Sequence, residues 1–330
     1  MPSREALNRC RYDGSDRGHY ESWFQRANHP SRPLAFWIRY TIFSPAGRAA
    51  DAVGELWAIV FDGEQQKITA VKQVHPIADC EFSPSGLAVR IASSTLDNAG
   101  LRGEARLGGR HLQWALRYEG KKPPLLLLPP RLYDTPLPKA KALVGMPLAR
   151  FSGELHVGSE RIEVEDWVGS QNHNWGKQHT DHYAWGQVAG FDDEPDAFLE
   201  LSTARLRIGP LWTPWLTPMV LRLDGEEYAV TGLGQALRAK GRFHPFEWTF
   251  ATRTPRVRIE GKIRAEARDF VALRYGNPPG GSKICLNSKI ASCEVTVHRS
   301  GQAPRKLVTG NRAAFEILQD NAPAGMTPVA

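Results

Sequence analysis

Nothing in the 330 residues is apolar for long enough to cross a bilayer: the longest aliphatic run, Leu125 to Leu128, is clamped between Pro123-Pro124 and Pro129-Pro130, where about 20 residues would be needed. No stable membrane insertion is expected. Cysteine is scarce, with 4 in the chain. Cys10, Cys80, Cys285 and Cys293 show no C-x-x-C spacing, which argues against a disulfide framework or a zinc signature and points to free thiols. There is no P-loop, no G-x-G-x-x-G after a strand and no G-x-S-x-G elbow, so neither nucleotide chemistry nor elbow-type hydrolysis has support. Helical periodicity is nearly missing as well. Asn311 to Gln319 and Gly234 to Lys240 are the short candidates, whereas a parallel α/β enzyme needs a helix after nearly every strand. The segment Met1 to Leu7 lacks the apolar stretch of a secretory signal, so a cytoplasmic protein is expected unless a leader has been removed.

What the chain does have is strand periodicity. In Leu112-Gln-Trp114-Ala-Leu116-Arg-Tyr118 the large apolar residues fall on every second position, and therefore on one face. The same alternation runs through Phe36 to Ile42, Leu87 to Ile91, Ile162 to Val164, Phe246 to Phe250 and Val295 to Val297, which reads as half-buried antiparallel strands. Asp62-Gly63 and Asp224-Gly225 follow apolar runs and suit hairpin turns with positive φ. Between Gly120 and Pro147 the pattern stops and proline takes over. Such a stretch cannot sit in a central sheet. It divides the chain into residues 1–122, a connector 123–147 and residues 148–330. Each flanking part is large enough for one barrel, so an all-β chain of two closed or nearly closed antiparallel barrels is expected. Lys and Arg outnumber Asp and Glu by 42 − 35 = 7, but they are spread along the chain, and no nucleic-acid partner is expected. An OB-like binder would betray itself by affinity falling steeply with salt.

One segment is unusually dense in chemistry. From Trp167 to Gln187 three histidines (His173, His179, His182), three tryptophans (Trp167, Trp175, Trp185), Tyr183 and Asp181 fall within 21 positions. The plainest account is a stack of core aromatics on two strands and their turn. A metal site on His173, His179, His182 and Asp181 is the sharper alternative, but His179 and His182 are three apart, so on a strand they would face opposite sides, and no metal is expected. Trp212-Thr-Pro-Trp215 reads as a lid over a barrel mouth or, preferably, a packing plug between modules. His75 and His244, each before a proline, read as loop residues.

The block His173-Asn174-Trp175-Gly176, followed by Tyr183-x-Trp185-x-Gln187, together with His19-Tyr20-Glu21-Ser-Trp23-Phe24 and Ala35 to Thr41, resembles the hydroxyneurosporene synthase, attachment-protein and tocopherol cyclase-like superfamily. The resemblance covers both halves of the chain and implies two tandem lipocalin-like barrels. It also implies a largely apolar small-molecule ligand, isoprenoid- or polyketide-like, with no cofactor. The reactions it implies are hydration, isomerisation or cyclisation, which share protonation of an unactivated alkene and stabilisation of a carbocation. On this resemblance His173 is a candidate acid, base or water-orienting group, and Trp175 a cation-facing wall. Where the hydratases would carry Tyr-x-Asp, this chain has Phe198-Leu-Glu200, which makes Glu200 the candidate acid and puts hydratase activity itself in question. Asp181 is the alternative carboxylate, unless it only serves a turn. Glu21, Trp23, Trp167, Asn174, Tyr183, Trp185 and Gln187 complete the candidate ligand-binding set. A carrier or attachment-associated protein without catalysis remains the competing class.

Overall fold

The structure, a computed structural model, describes residues 3–329. A short helix α1 (Arg4–Asn8) precedes strands β1 (His19–Asn28), β2 (Leu34–Ser44), β3 (Val53–Asp62) and β4 (Lys67–Pro76). Five more strands follow: β5 (Cys80–Phe82), β6 (Ala88–Ile91), β7 (Ser94–Asp97), β8 (Gly100–Leu107) and β9 (Arg110–Glu119). After β10 (Leu125–Leu126) come the two long strands β11 (Ala140–Val157) and β12 (Glu160–Gly176). The chain continues through β13 (His182–Ala189), β14 (Phe198–Arg205), the small hairpin β15 (Arg207–Ile208) and β16 (Leu211–Trp212), β17 (Met219–Leu223) and β18 (Glu226–Val230). Helix α2 (Leu233–Arg238) leads to β19 (Lys240–His244), β20 (Glu247–Arg253), β21 (Val257–Arg264), β22 (Val271–Gly276), β23 (Ser282–Arg299) and β24 (Arg305–Gln319).

These strands form two antiparallel barrels. The first sheet runs β4-β3-β2-β1-β12-β11-β9-β8-β7-β6-β5, and the second β18-β17-β14-β13-β24-β23-β21-β20-β19. The first curls so that Arg106 N–H on β8 donates to Gln73 Oε1 on β4 at 2.9 Å. In the second, Gly241 on β19 lies against Thr203 of β14 so closely that a Cβ there would overlap its hydroxyl. Closure removes most exposed edges. Each barrel has its own core, with Trp23, Phe36, Ile38, Tyr40, Trp114 and Trp167 in the first and Leu199, Leu201, Trp248, Ile263, Phe315 and Ile317 in the second.

A third apolar layer lies between the barrels, where Phe24, Trp37, Trp57 and Phe61 of the first sheet meet Trp185, Leu273 and Tyr275 of the second. The reading of Phe36 to Ile42 as a half-buried strand is therefore corrected here: β2, like its neighbour β1, is buried on both faces, because one face fills the barrel and the other meets the neighbouring barrel, whereas β9 and β20 do alternate between buried and more exposed positions. The connector also ends earlier than its prolines suggest. Ala140 to Pro147 already belong to β11, where Pro147 sits opposite Ser170 between two register shifts, and such bulges accommodate a residue without an amide donor. Since β11 and β12 pair into the first sheet, residues 148–176 lie with the first barrel, not the second.

Local readings are corrected in the same way. Asn311 to Gln319 is strand, the end of β24, while the helix expected at Gly234 to Lys240 is present as α2. His75 lies in β4 and His244 ends β19. At Asp224-Gly225 both residues have positive φ, 54° and 77°, whereas after Asp62 the left-handed residue is Gln66. Among the described residues no helix is long and apolar enough to cross a membrane.

Candidate functional site

Strands β12 and β13 carry the dense segment, yet they do not form a hairpin: β12 belongs to the first sheet and β13 to the second, and residues 177–181 cross from one to the other. The period of two then decides what each side chain meets. On β13 and β14, Ala184, Val188, Leu199 and Leu201 enter the second core. Their neighbours Tyr183, Trp185 and Glu200 point the other way, toward the first barrel, and line a cavity of about 520 Å³ between the sheets. The first sheet contributes Tyr20, Phe24, Trp37, Arg39, Asn172 and Asn174 to the same walls. Leu127, Leu128, Arg131, Leu132 and Pro138 of the Pro-rich segment close another side. That segment is held to the second barrel by the Arg222 guanidinium, which donates to the carbonyls of Pro123 (2.6 Å) and Pro124 (2.9 Å).

Glu200 is the titratable centre of this cavity. It is buried, and its two oxygens accept from Trp185 Nε1–H at 2.7 Å and from Gln187 Nε2–H at 2.8 Å. Gln187 has no freedom to turn. Its other amide proton goes to Asn172 Oδ1 at 2.9 Å, and its Oε1 accepts from Arg26 Nε (2.7 Å) and Ser170 Oγ (2.6 Å). Burial pushes the Glu200 carboxyl up to about 7, against the two hydrogen bonds and the Arg26 charge that favour its ionised form. Both protein contacts are donors, so the carboxyl's own proton has no protein acceptor and is available to a molecule in the cavity.

His173 contributes to the wall but is tied at both nitrogens, with Nε2 2.9 Å from Glu21 Oε1 and Nδ1 3.0 Å from the Leu7 carbonyl oxygen. Its ring is sandwiched by Trp23 and Trp175 at 4.8 and 4.7 Å. Burial lowers its pKa and the Glu21 carboxylate opposes that shift. Glu21 in turn accepts from the Arg11 and Tyr12 amides and faces His19 Nε2 at 2.9 Å. Burial would raise the Glu21 carboxyl, but the hydrogen bonds and charges of His173 and His19 outweigh it and hold it down at about 2.

No model of a known protein family and no curated protein matches the sequence. Solved structures do match in shape. A provisionally named AttH from Nitrosomonas europaea superposes with a TM-score of 0.59 at 12% identity, over 97% of this chain and 99% of that one. Kievitone hydratase from Nectria haematococca gives 0.57 at 9% identity, over 97% and 96%. CghA gives 0.53 at 11% identity, over 93% and 90%. The chain has the lipocalin-like AttH-type fold. Identities this low speak to architecture alone.

Within that fold the expected site residues separate. Asn174, Tyr183, Trp185, Glu200 and His173 line the cavity between the barrels, whereas Glu21, Trp23, Trp167, Trp175 and Gln187 do not. Trp23 and Trp167 sit on the faces of β1 and β12 that fill the first core, and Trp175 packs with Leu7, Tyr133 and Leu143 beneath the Arg11 guanidinium. Asp181 lies outside the cavity, its Oδ2 accepting the Arg207 N–H at 2.8 Å and so anchoring the β15–β16 hairpin. The three histidines have separate partners: His179 meets Gly276 and Asn277, and His182 packs on Trp215 and Phe243. The Trp212 to Trp215 stretch is no plug between the barrels, since Trp212 is exposed and both rings lie under the Arg205 guanidinium at 4.3 and 4.7 Å. Trp37, Arg39, Asn172, Tyr275 and Glu316 line the cavity without having been read as site residues. They come from four separate strands, and the one sequence signal among them is Arg39, a charged residue within the apolar alternation of β2.

Proposed function

We propose that the chain holds a small, largely apolar molecule between its barrels and protonates it from Glu200. The observation that carries this reading is a buried carboxyl, poised near 7 and locked by Trp185 and Gln187, in the wall of an apolar cavity. A general acid works best with a pKa near the ambient pH. Transfer of the Glu200 proton to an alkene carbon leaves a carbocation on the substrate and a carboxylate on the enzyme. Beside Glu200 the aromatic rings of Trp185 and Phe24, edge to face at 6.1 Å, line the cavity; such rings can stabilise a cation and are not nucleophiles that would trap it. Attack by water, attack by a group of the same molecule, or loss of another proton would then give hydration, cyclisation or isomerisation, and the proton balance is restored when Glu200 is reprotonated. That one structural neighbour is a hydratase supports the reading.

The test is to expose wild type and Glu200→Gln to a total lipid extract, recover bound molecules, and follow mass and chromatographic retention together. Turnover is expected in wild type, falling as pH rises through about 7, and at least about a hundredfold weaker in the amide variant, which has no acidic proton and whose single oxygen can accept from only one of Trp185 and Gln187. Compounds bound and released unchanged by both proteins would support a carrier instead.

A further inference from the structure

A second charged group in the same cavity has no counter-charge. Arg39 on β2 is buried, and the one hydrogen bond its guanidinium makes is from Nη2 to Ser22 Oγ at 2.6 Å; its Nε–H is unpaired. No carboxylate of the described residues pairs with it. Its charge instead rests over aromatic faces, 4.7 Å from the Tyr275 ring centre and 5.8 Å from that of Trp37. Those two rings repeat the pattern at their polar atoms: the Trp37 indole N–H and the Tyr275 hydroxyl are both buried without an oxygen or nitrogen partner. All three residues line the cavity. His179 nearby has its Nε2 against the Gly276 carbonyl oxygen, and burial together with the Arg39 charge depresses its pKa to about 3; the Lys289 ammonium, 5.8 Å from the Trp37 ring centre, is paired with Glu316 at 2.7 Å, which leaves Arg39 as the cation without a counter-charge.

A guanidinium withdrawn from water without a counter-charge is costly, and so is each buried donor left unpaired. Three such donors on residues that share one cavity wall describe a site complementary to something the protein does not supply. Two are N–H groups and can only donate, the third can donate, and one carries full positive charge. The complement is an oxygen acceptor with negative charge. Phe24, 6.0 Å from Trp37 and 6.1 Å from Trp185 at the ring centres, links this set to the Trp185–Glu200 pair.

Resting on the small-molecule reading above, we propose that Arg39, Trp37 and Tyr275 form an oxyanion subsite, so that the molecule held between the barrels is not purely apolar but an apolar body carrying a carboxylate or an ionised enol or phenol. Binding that oxyanion would fix which carbon of the apolar body faces Glu200, making Arg39 a specificity determinant.

Two fluorescent probes of nearly the same shape separate the possibilities: 1-anilinonaphthalene-8-sulfonate, which carries an oxyanion, and N-phenyl-1-naphthylamine, which does not. Titrated against the full chain, wild type is expected to bind the sulfonate at least about tenfold more tightly. Arg39→Gln should abolish that preference while changing the neutral probe's affinity by less than about twofold, and Arg39→Lys should keep part of it. Ala204→Phe, which fills the cavity, should weaken both probes. Equal affinities in wild type, a loss shared equally by both probes in Arg39→Gln, or sulfonate binding indifferent to Ala204→Phe would each overturn the subsite. Neutral probe bound in the cavity without a sulfonate preference would overturn the subsite alone and leave the apolar cavity standing, whereas failure of both probes to bind would overturn both readings.

Discussion

Glu21 shows how a residue that reads as part of a binding site can instead hold that site's frame. Five neighbours, Cys10, Arg11, Tyr12, His19 and His173, donate to or face its two oxygens, and all are supplied by the chain itself. Its carboxyl lies near 2 in the folded chain against an ordinary 4.5. A depressed value means that the ionised form is favoured by folding, so its contribution is fully present above 4.5 and is lost as pH falls toward 2. The difference corresponds to something on the order of 3 kcal/mol. Glu21→Gln keeps the shape but turns an NH₂ donor toward the amide and imidazole groups that need an acceptor. Urea titration at pH 7 is expected to show a loss of about 3 kcal/mol, and the gap to wild type should close in titrations carried progressively below pH 4.5. Glu200 has the opposite sign. Its folded value lies above the unfolded one, so it weakens the fold as pH rises from 4.5 through 7, and the wild-type loss of stability over that window should be missing from Glu200→Gln in urea titrations at pH 5 and pH 8.

At the scale of the element, the turn between β17 and β18 is expected to tolerate little. Asp224 and Gly225 both occupy the left-handed region, as a two-residue turn matching the twist of its strands requires. Gly225→Ala should cost about 1 kcal/mol and Gly225→Asn distinctly less, measured by thermal unfolding at constant pH. Turns and strands of this kind were legible in the chain because their chemistry is local: Asp-Gly at 224-225, alternation at 112–118. Legibility failed where both faces of a strand are buried. Along the end of β24, Ala313, Phe315 and Ile317 enter the second core while Ala314 and Leu318 pack between the barrels and Glu316 lines the cavity. Glu316 is the one polar alternate between Ala313 and Leu318, too little to mark a period of two, and the segment looks like a short helix. The candidate acid was named through its place in the resemblance, but the side it faces was not legible, since a shift of one residue in strand register would have reversed it. Nor were Arg39 and Tyr275, because only the packing of one barrel on the other brings positions 39 and 275 together.

The whole molecule is held together by that packing, and Arg26 stands at its centre. Fully buried on β1, it donates from Nε to Gln187 Oε1 at 2.7 Å and from Nη2 to the Gln187 carbonyl at 3.0 Å, both across the divide, and from Nη1 to Asn28 Oδ1 at 2.6 Å. Asn28 continues the link to the Lys289 carbonyl at 2.6 Å. These bonds connect the two sheets and also orient the amide that holds Glu200. The barrels are therefore not expected to unfold separately: intrinsic tryptophan fluorescence and far-ultraviolet dichroism should follow one coincident transition. Arg26→Met fits the space but leaves Gln187 Oε1 and its carbonyl short of donors in a buried layer, and a loss of about 3 kcal/mol is expected by urea titration. Residues 3–176 expressed alone, although they contain every long strand of the first barrel, would expose Trp37, Trp57 and Phe61 together with the unpaired Arg26 and Asn28. That fragment is expected to self-associate in sedimentation and to lack the near-ultraviolet dichroism of fixed tryptophans. A monomeric fragment with native-like dichroism would show instead that the first barrel is stable by itself and that the cavity was assembled by docking two independent units.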